Sequence, residues 1–157
     1  MAARNTVASE SAEFDLIITR TFDAPRSLVF KAWTEPRHMA RWWGPPGYTL
    51  PDCQMDVRPG GSYRFCMRSP EGTDHFSRGV FREVVEPERI IFAGSWTDAD
   101  GTPTSPVMVT TVTFEDQAEK TKLTLHQAGL ESAASRDAHR GGWNSSLECL
   151  AEYLATA

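Results

Sequence analysis

Between residues 14 and 22 apolar side chains recur at every second position, at Phe14, Leu16, Ile18 and Phe22, in a stretch rich in β-branched residues. A period of two marks a strand with one covered face. Arg20 shares that parity and interrupts the apolar row. The period then changes. Asp23-Ala24-Pro25 offers a capping side chain and a helix-starting proline, and Leu28, Val29, Ala32 and Trp33 follow at helical spacing, which predicts a short helix to about Trp33. Thr34-Glu35-Pro36 repeats the start signal. Met39, Ala40, Trp42 and Trp43 fill a second short helix that stops at Gly44-Pro45-Pro46-Gly47.

From Tyr48 to Gln127 the punctuation consists of turn clusters, at Pro59-Gly60-Gly61, Pro70-Glu71-Gly72, Glu86-Pro87-Glu88, Asp98 to Pro103 and Asp116 to Glu119. The runs between them alternate: Tyr63, Phe65 and Met67 against Arg64 and Arg68, then Met108, Thr110, Val112 and Phe114 against Val109, Thr111 and Thr113. These are antiparallel meander strands with one covered face. After Gly129, the residues Trp143, Leu147, Leu150 and Leu154 form a stripe along one side of the longest helix. The order of strand, two short helices, six strands and long helix implies an α+β domain whose curved sheet lays its covered face on the last helix and leaves a cavity there. Gly141-Gly142 inside that helix costs about 1 kcal/mol per glycine relative to alanine, and either close approach to the sheet or room for a ligand explains it. A turn centred on Gly60 sets Asp56 opposite Arg64. The next hairpin then sets Arg64 against Arg82 and Arg68 against Arg78, and acids such as Asp56 are expected to neutralise these like-charged pairs.

The 157 residues fit one domain at 13–157 behind a disordered tail at 1–12. Sixteen Lys and Arg against twenty-one Asp and Glu give a net charge of −5, the wrong sign for a protein that wraps nucleic acid. The longest apolar run, Ile90 to Ala93, is far short of the about 20 residues of a membrane-spanning helix. Residues 1–12 lack the apolar core of a secretory signal. Cys53, Cys66 and Cys149 are odd in number and widely spaced, so neither a disulfide framework nor a zinc knuckle is supported and a reduced, cytoplasmic setting is expected.

The segments Arg20-Thr21-Phe22-Asp23-Ala24-Pro25, Val29-Phe30-Lys31-Ala32-Trp33-Thr34-Glu35-Pro36, Arg41-Trp42-Trp43-Gly44-Pro45, Asp56-Val57-Arg58-Pro59-Gly60-Gly61-Ser62-Tyr63-Arg64 and Gly142-Trp143 resemble the signature of the heat-shock-protein-90 ATPase activator-like family, within the START-like (SRPBCC) superfamily. The resemblance runs from about Asp15 to Leu154. It implies the helix-grip fold, a seven-stranded sheet holding a long C-terminal helix around a hydrophobic cavity. It implies less about function, because the superfamily includes lipid carriers, cyclases, ring-hydroxylase subunits and a cochaperone domain.

The expected cavity lining is Trp42 or Trp43 with Tyr63, Phe65, Phe92, Trp96, Met108 and Trp143, since ligand pockets are mostly apolar with a few polar anchors. The same residues would also suit a plain core. His38, His75, His126 and His139 lie in separate elements without metal-ligand spacing and are expected to face solvent. No nucleophile elbow, Cys–His pair or phosphate loop is present, so no catalytic residue, metal or cofactor is expected. Acid–base chemistry in the cavity would need an inward group, for which parity suggests only Glu83 and Gln127. Arginine outnumbers lysine thirteen to three, and Arg64, Arg68, Arg78 and Arg82 fall on the face opposite Tyr63.

The leading expectation is therefore a non-enzymatic monomer or homodimer that binds a small hydrophobic or aromatic molecule. A protein-interaction module docking through those arginines is the alternative, although 157 residues leave no room for the N-terminal chaperone-binding domain of the eukaryotic activator. A cyclase- or hydrolase-like enzyme stands third.

Overall fold

The computed structural model describes residues 13–156, and the tail expected at 1–12 lies outside the described residues. β1 (Leu16–Phe22) leads into α1 (Arg26–Thr34) and α2 (Pro36–Trp42). Six strands follow: β2 (Thr49–Met55), β3 (Ser62–Arg68), β4 (Asp74–Val85), β5 (Arg89–Thr97), β6 (Met108–Gln117) and β7 (Lys120–Ala128). The last element is the long helix α3 (Ala133–Thr156). The strands form one antiparallel sheet in the order β1-β7-β6-β5-β4-β3-β2. This is the helix-grip α+β fold.

One face of the sheet is dry. Leu16, Ile18 and Phe22 of β1, Val112 and Phe114 of β6, and Leu123 and Leu125 of β7 are all buried. Against them α3 lays Leu147, Leu150 and Leu154, and α1 lays Val29, Phe30 and Trp33. Arg20, on the inner parity of β1, is accommodated by Glu148 of α3 at 2.8 Å and by the ring of Phe22, whose centroid lies 5.5 Å from the guanidinium carbon.

The helix starts differ from expectation in one detail. Pro25 itself occupies the N-cap of α1 and no side chain caps it, so Asp23 sits two residues too early to reach the free amides. α2 begins at Pro36 and ends at Trp42. Trp43 turns extended, with φ −67° and ψ 128°, and Gly44 follows at φ 95°, a conformation that favours glycine. Two adjacent tryptophans thereby leave α2 in different directions.

The strand registers also differ. Gln54, not Asp56, opposes Arg64; Arg64 opposes Arg78; and Arg68 opposes Asp74. The cause lies in the turn before β3. It closes from Arg58 to Gly61, whose amide donates to the Arg58 carbonyl at 2.8 Å, so the Asp56 amide donates to the Ser62 carbonyl at 2.9 Å and Asp56 faces Ser62 rather than Arg64, while Gly60 and Gly61 also bond Phe81 of β4. Acids do intervene on the outer face, but they are Asp52 and Asp74. Arg64 Nε donates to Asp52 at 2.8 Å and Arg68 Nε to Asp74 at 2.7 Å, while Asp56 is taken by Arg58. Arg82 is exposed at a register shift between Phe81 and Glu83.

The hydrogen bond from Arg64 holds the Asp52 carboxyl below its ordinary range, and that from Arg68 does the same for Asp74. Carboxyls depressed by folding add stability above their unfolded pKa of about 3.9 and lose it as pH falls through the lower folded value. The unfolding midpoint is expected to drop as pH falls below about 4, modestly because both pairs are exposed. Asp52→Asn with Asp74→Asn should flatten that stretch of the profile, and an unchanged slope in the double variant would contradict the pairing.

Candidate functional site

α3 lies on the sheet only along part of its length. Leu147, Leu150 and Leu154 are buried, whereas Ala133, Ala134, Asp137, Ala138 and Arg140 are exposed. Where the N-terminal half of α3 stands over the sheet, both sides carry small residues: Ala138, Gly142 and Ser146, four residues apart along one side of the helix, and Ser77, Gly94 and Ser95 on β4 and β5. They leave a solvent-connected cavity of about 300 Å³, at the lower end of the about 300–1,000 Å³ of small-molecule sites. A Cβ added to Gly141 or Gly142 meets nothing within 4 Å, so close approach does not explain this glycine pair, and Gly142 borders the open space.

The walls are aromatic. The extended backbone after α2 places Trp43 edge-on to Trp143, with centroids 5.4 Å apart and planes at 87°. Trp33, fully buried beneath, stacks on Trp143 at 5.9 Å and meets Trp43 edge-on at 5.9 Å. Across the cavity Tyr63 stacks on Phe65 at 5.0 Å and lies edge-on to Phe92 at 5.7 Å. The phenol reaches over Gly79 and Gly94, a directly paired couple on β4 and β5, where a Cβ on either would overlap it. Two mid-strand glycines thus exist to let one ring lie flat on the sheet.

The polar groups are few. Gln127 and Thr110, 4% and 1% exposed, face each other across β7 and β6. Trp143 Nε1 donates to Gln127 Oε1 at 3.1 Å, and Gln127 Nε2 donates to Thr110 Oγ1 at 3.1 Å. Toward the exposed end, Trp96 Nε1 donates to His139 Nε2 at 3.2 Å. An indole nitrogen only donates, so Nε2 is the acceptor and Nδ1–H donates to the Ser135 carbonyl at 2.8 Å. Burial pushes the Tyr63 phenol well above its ordinary pKa, so it stays O–H. No Asp, Glu, Lys, Arg or Cys is among the lining residues. Burial raises all three thiols, Cys53 to about 11, and no described group of three His, Cys, Asp or Glu is placed to hold a metal ion.

Trp43, Tyr63, Phe65, Phe92, Trp96, Met108 and Trp143 converge on this cavity. Trp42 does not: it packs into the core, 2% exposed, and its indole donates to the Ala32 carbonyl at 2.9 Å. Gln127 lies in the cavity, whereas Glu83 pairs with Arg89 at a partly exposed position outside it. The histidines are not uniformly solvent-facing. His75 is exposed; His38 is largely covered and bonds Tyr153; His126 bonds Asp15 at 2.7 Å; and His139 lines the cavity. His139 lies four residues before Trp143 and so extends the apolar stripe by one turn, a signal present in the sequence but obscured by its polarity. Arg64, Arg68, Arg78 and Arg82 are exposed on the opposite face of the sheet. Among the described residues no helix is long and apolar enough to cross a membrane.

Comparison with known proteins places these features in context. The family described as Activator of Hsp90 ATPase homolog 1-like protein matches residues 23–155. Among solved structures, the AHSA1 protein from Silicibacter pomeroyi is 27% identical with a TM-score of 0.81, over 90% of this chain and 98% of that one. A crystal structure of a Nitrosomonas europaea protein is 29% identical with a TM-score of 0.77, over 92% and 96%. A solution structure of an Arthrobacter aurescens protein is 26% identical with a TM-score of 0.80, over 92% and 87%. No curated protein matches this chain.

Proposed function

The chain belongs to the Activator of Hsp90 ATPase homolog 1-like family, and from that membership and the geometry above we propose that it binds a small hydrophobic or aromatic molecule between α3 and the sheet, without transforming it. Membership supports a ligand-binding or activator-like domain. The observation that favours the first is the convergence of three indoles and three further aromatic rings on a cavity lined by no charged side chain. Binding is favoured over catalysis because both nitrogens of the lining imidazole, His139, are engaged in hydrogen bonds.

A docking role for the arginine face is the second reading. It is supported by the Arg64–Arg78 opposition, in which Arg78 has no carboxylate partner among the described residues. Asp52 and Asp74 already occupy Arg64 and Arg68, which places this reading behind the first.

The test is titration with the neutral probe N-phenyl-1-naphthylamine, read by probe emission and by quenching of the indoles. Saturable binding is expected in the native chain. Gly142→Leu should weaken it at least tenfold, because the new side chain enters the open space that borders position 142. It should not lower the melting temperature, since leucine is favoured over glycine in a helix by about 0.5–1 kcal/mol. Equal binding in native chain and variant would put the probe elsewhere and overturn the proposal.

A further inference from the structure

We infer that the ligand is a neutral ring compound carrying an acceptor oxygen, such as a ketone or lactone, held at the buried end of the cavity by protons of Thr110 and Gln127. This rests on the binding reading above and adds the chemistry of the ligand's polar group. The orientation of the Gln127 amide follows from its neighbours. Trp143 Nε1 donates to it at 3.1 Å, and because an indole nitrogen cannot accept, the atom facing Trp143 is Oε1. The amide nitrogen therefore faces Thr110 and donates one proton to Oγ1 at 3.1 Å. Oγ1 is the acceptor in that bond, so the Thr110 hydroxyl proton is not used there. Neither it nor the second amide proton finds an acceptor among the described residues. Both side chains are at least nine-tenths buried and both line the cavity.

Tyr63 adds a third free donor. Its hydroxyl lies over the Gly79–Gly94 pair without a hydrogen-bond partner among the described residues, the residue lines the same cavity, and burial keeps its proton on. Half-used lone pairs on hydroxyl and amide oxygens are common in folded proteins, whereas donor protons left without an acceptor are rarer, and here the unused protons belong to residues that line the cavity. The deficit at this end of the cavity is thus in acceptors. The serines at 77, 95 and 146 donate or accept equally well and do not alter the balance. An ionised ligand would surrender its hydration with no counter-charge on the lining, at a large cost. Neutrality and an acceptor oxygen follow together, and the about 300 Å³ of space is at the scale of a small-molecule site.

The experiment compares three molecules on one bicyclic skeleton by calorimetry: tetralin, 1-tetralone and the tetralin-1-carboxylate anion. The ketone is expected to bind roughly tenfold tighter than the hydrocarbon, the gain of about two neutral hydrogen bonds, and the carboxylate to bind more weakly than either. Thr110→Val, which removes the hydroxyl at nearly constant shape, and Gln127→Met should each narrow the ratio between ketone and tetralin toward one. Equal binding of ketone and hydrocarbon in the native chain overturns this inference and leaves the cavity reading standing. Tightest binding by the carboxylate overturns neutrality. Binding by none of the three overturns the cavity reading and this inference with it. The native-chain ratio decides even where a variant folds poorly.

Discussion

A chain ended at Gly142 is expected to show no cooperative thermal transition. The truncation removes Trp143, which stacks on Trp33 at 5.9 Å, and Leu147, Leu150 and Leu154, of which the first two are wholly buried. Each large apolar side chain contributes about 1.5–3 kcal/mol when buried. Four of them together rival the about 5–15 kcal/mol that separates a typical folded domain from its unfolded chain. The loss extends beyond the helix. Leu16, Val112, Leu123 and Leu125, all 0% exposed in the intact fold, would face water along the inner side of the sheet. Arg20 would lose Glu148 and stand on an apolar face without a partner. Circular dichroism during heating is the measurement, and a sharp transition surviving the truncation would contradict a sheet that depends on the helix it grips.

That dependence was legible in the sequence because both periods are strong. Alternation in β3 and β6 and the Trp143–Leu154 stripe each run long enough to identify element and buried face together. Register was not legible at this level. It turned on where the turn between β2 and β3 is centred, and the bonds from Gly61 to Arg58 and from Asp56 to Ser62 centre it on Pro59 rather than Gly60, which slides every facing pair by two residues. The cavity's aromatic walls could be named from parity, but the choice between Trp42 and Trp43 depended on where α2 stops, and a single extended residue decides it. Polar members were harder still. His139 and Thr110 lie on the inner faces of their elements, yet only the donor-only indoles of Trp96 and Trp143 turn them from isolated polar residues into an ordered set. The small residues that leave the space, Ala138, Gly142 and Ser146, show the four-residue spacing of one helix side, a pattern visible in the sequence once the facing strand residues are known to be small too.

Trp33→Ala is expected to be among the most costly single substitutions in the molecule, and its contrast with Trp43→Ala separates the stability of the core from the walls of the site. Trp33 is 1% exposed and touches Trp42, Trp43, Phe114 and Trp143. Its removal opens a closed void among rigid rings that cannot collapse, for which about 3–5 kcal/mol is the usual loss. At about 2–4 °C per kcal/mol for a chain of this size, the melting temperature should fall by roughly 6–20 °C. Trp43 is only partly buried and already faces open space, so its removal enlarges an existing cavity rather than creating a sealed one. Its stability cost should therefore be clearly smaller, while N-phenyl-1-naphthylamine, which would lose an edge-on indole wall, should bind several-fold more weakly. Melting curves and probe titrations on the two variants decide the matter. If Trp43→Ala destabilises as much as Trp33→Ala and leaves probe affinity intact, Trp43 is a core residue like Trp42, and the aromatic wall of the site must be assigned to Tyr63, Phe65, Phe92, Trp96 and Trp143 without it.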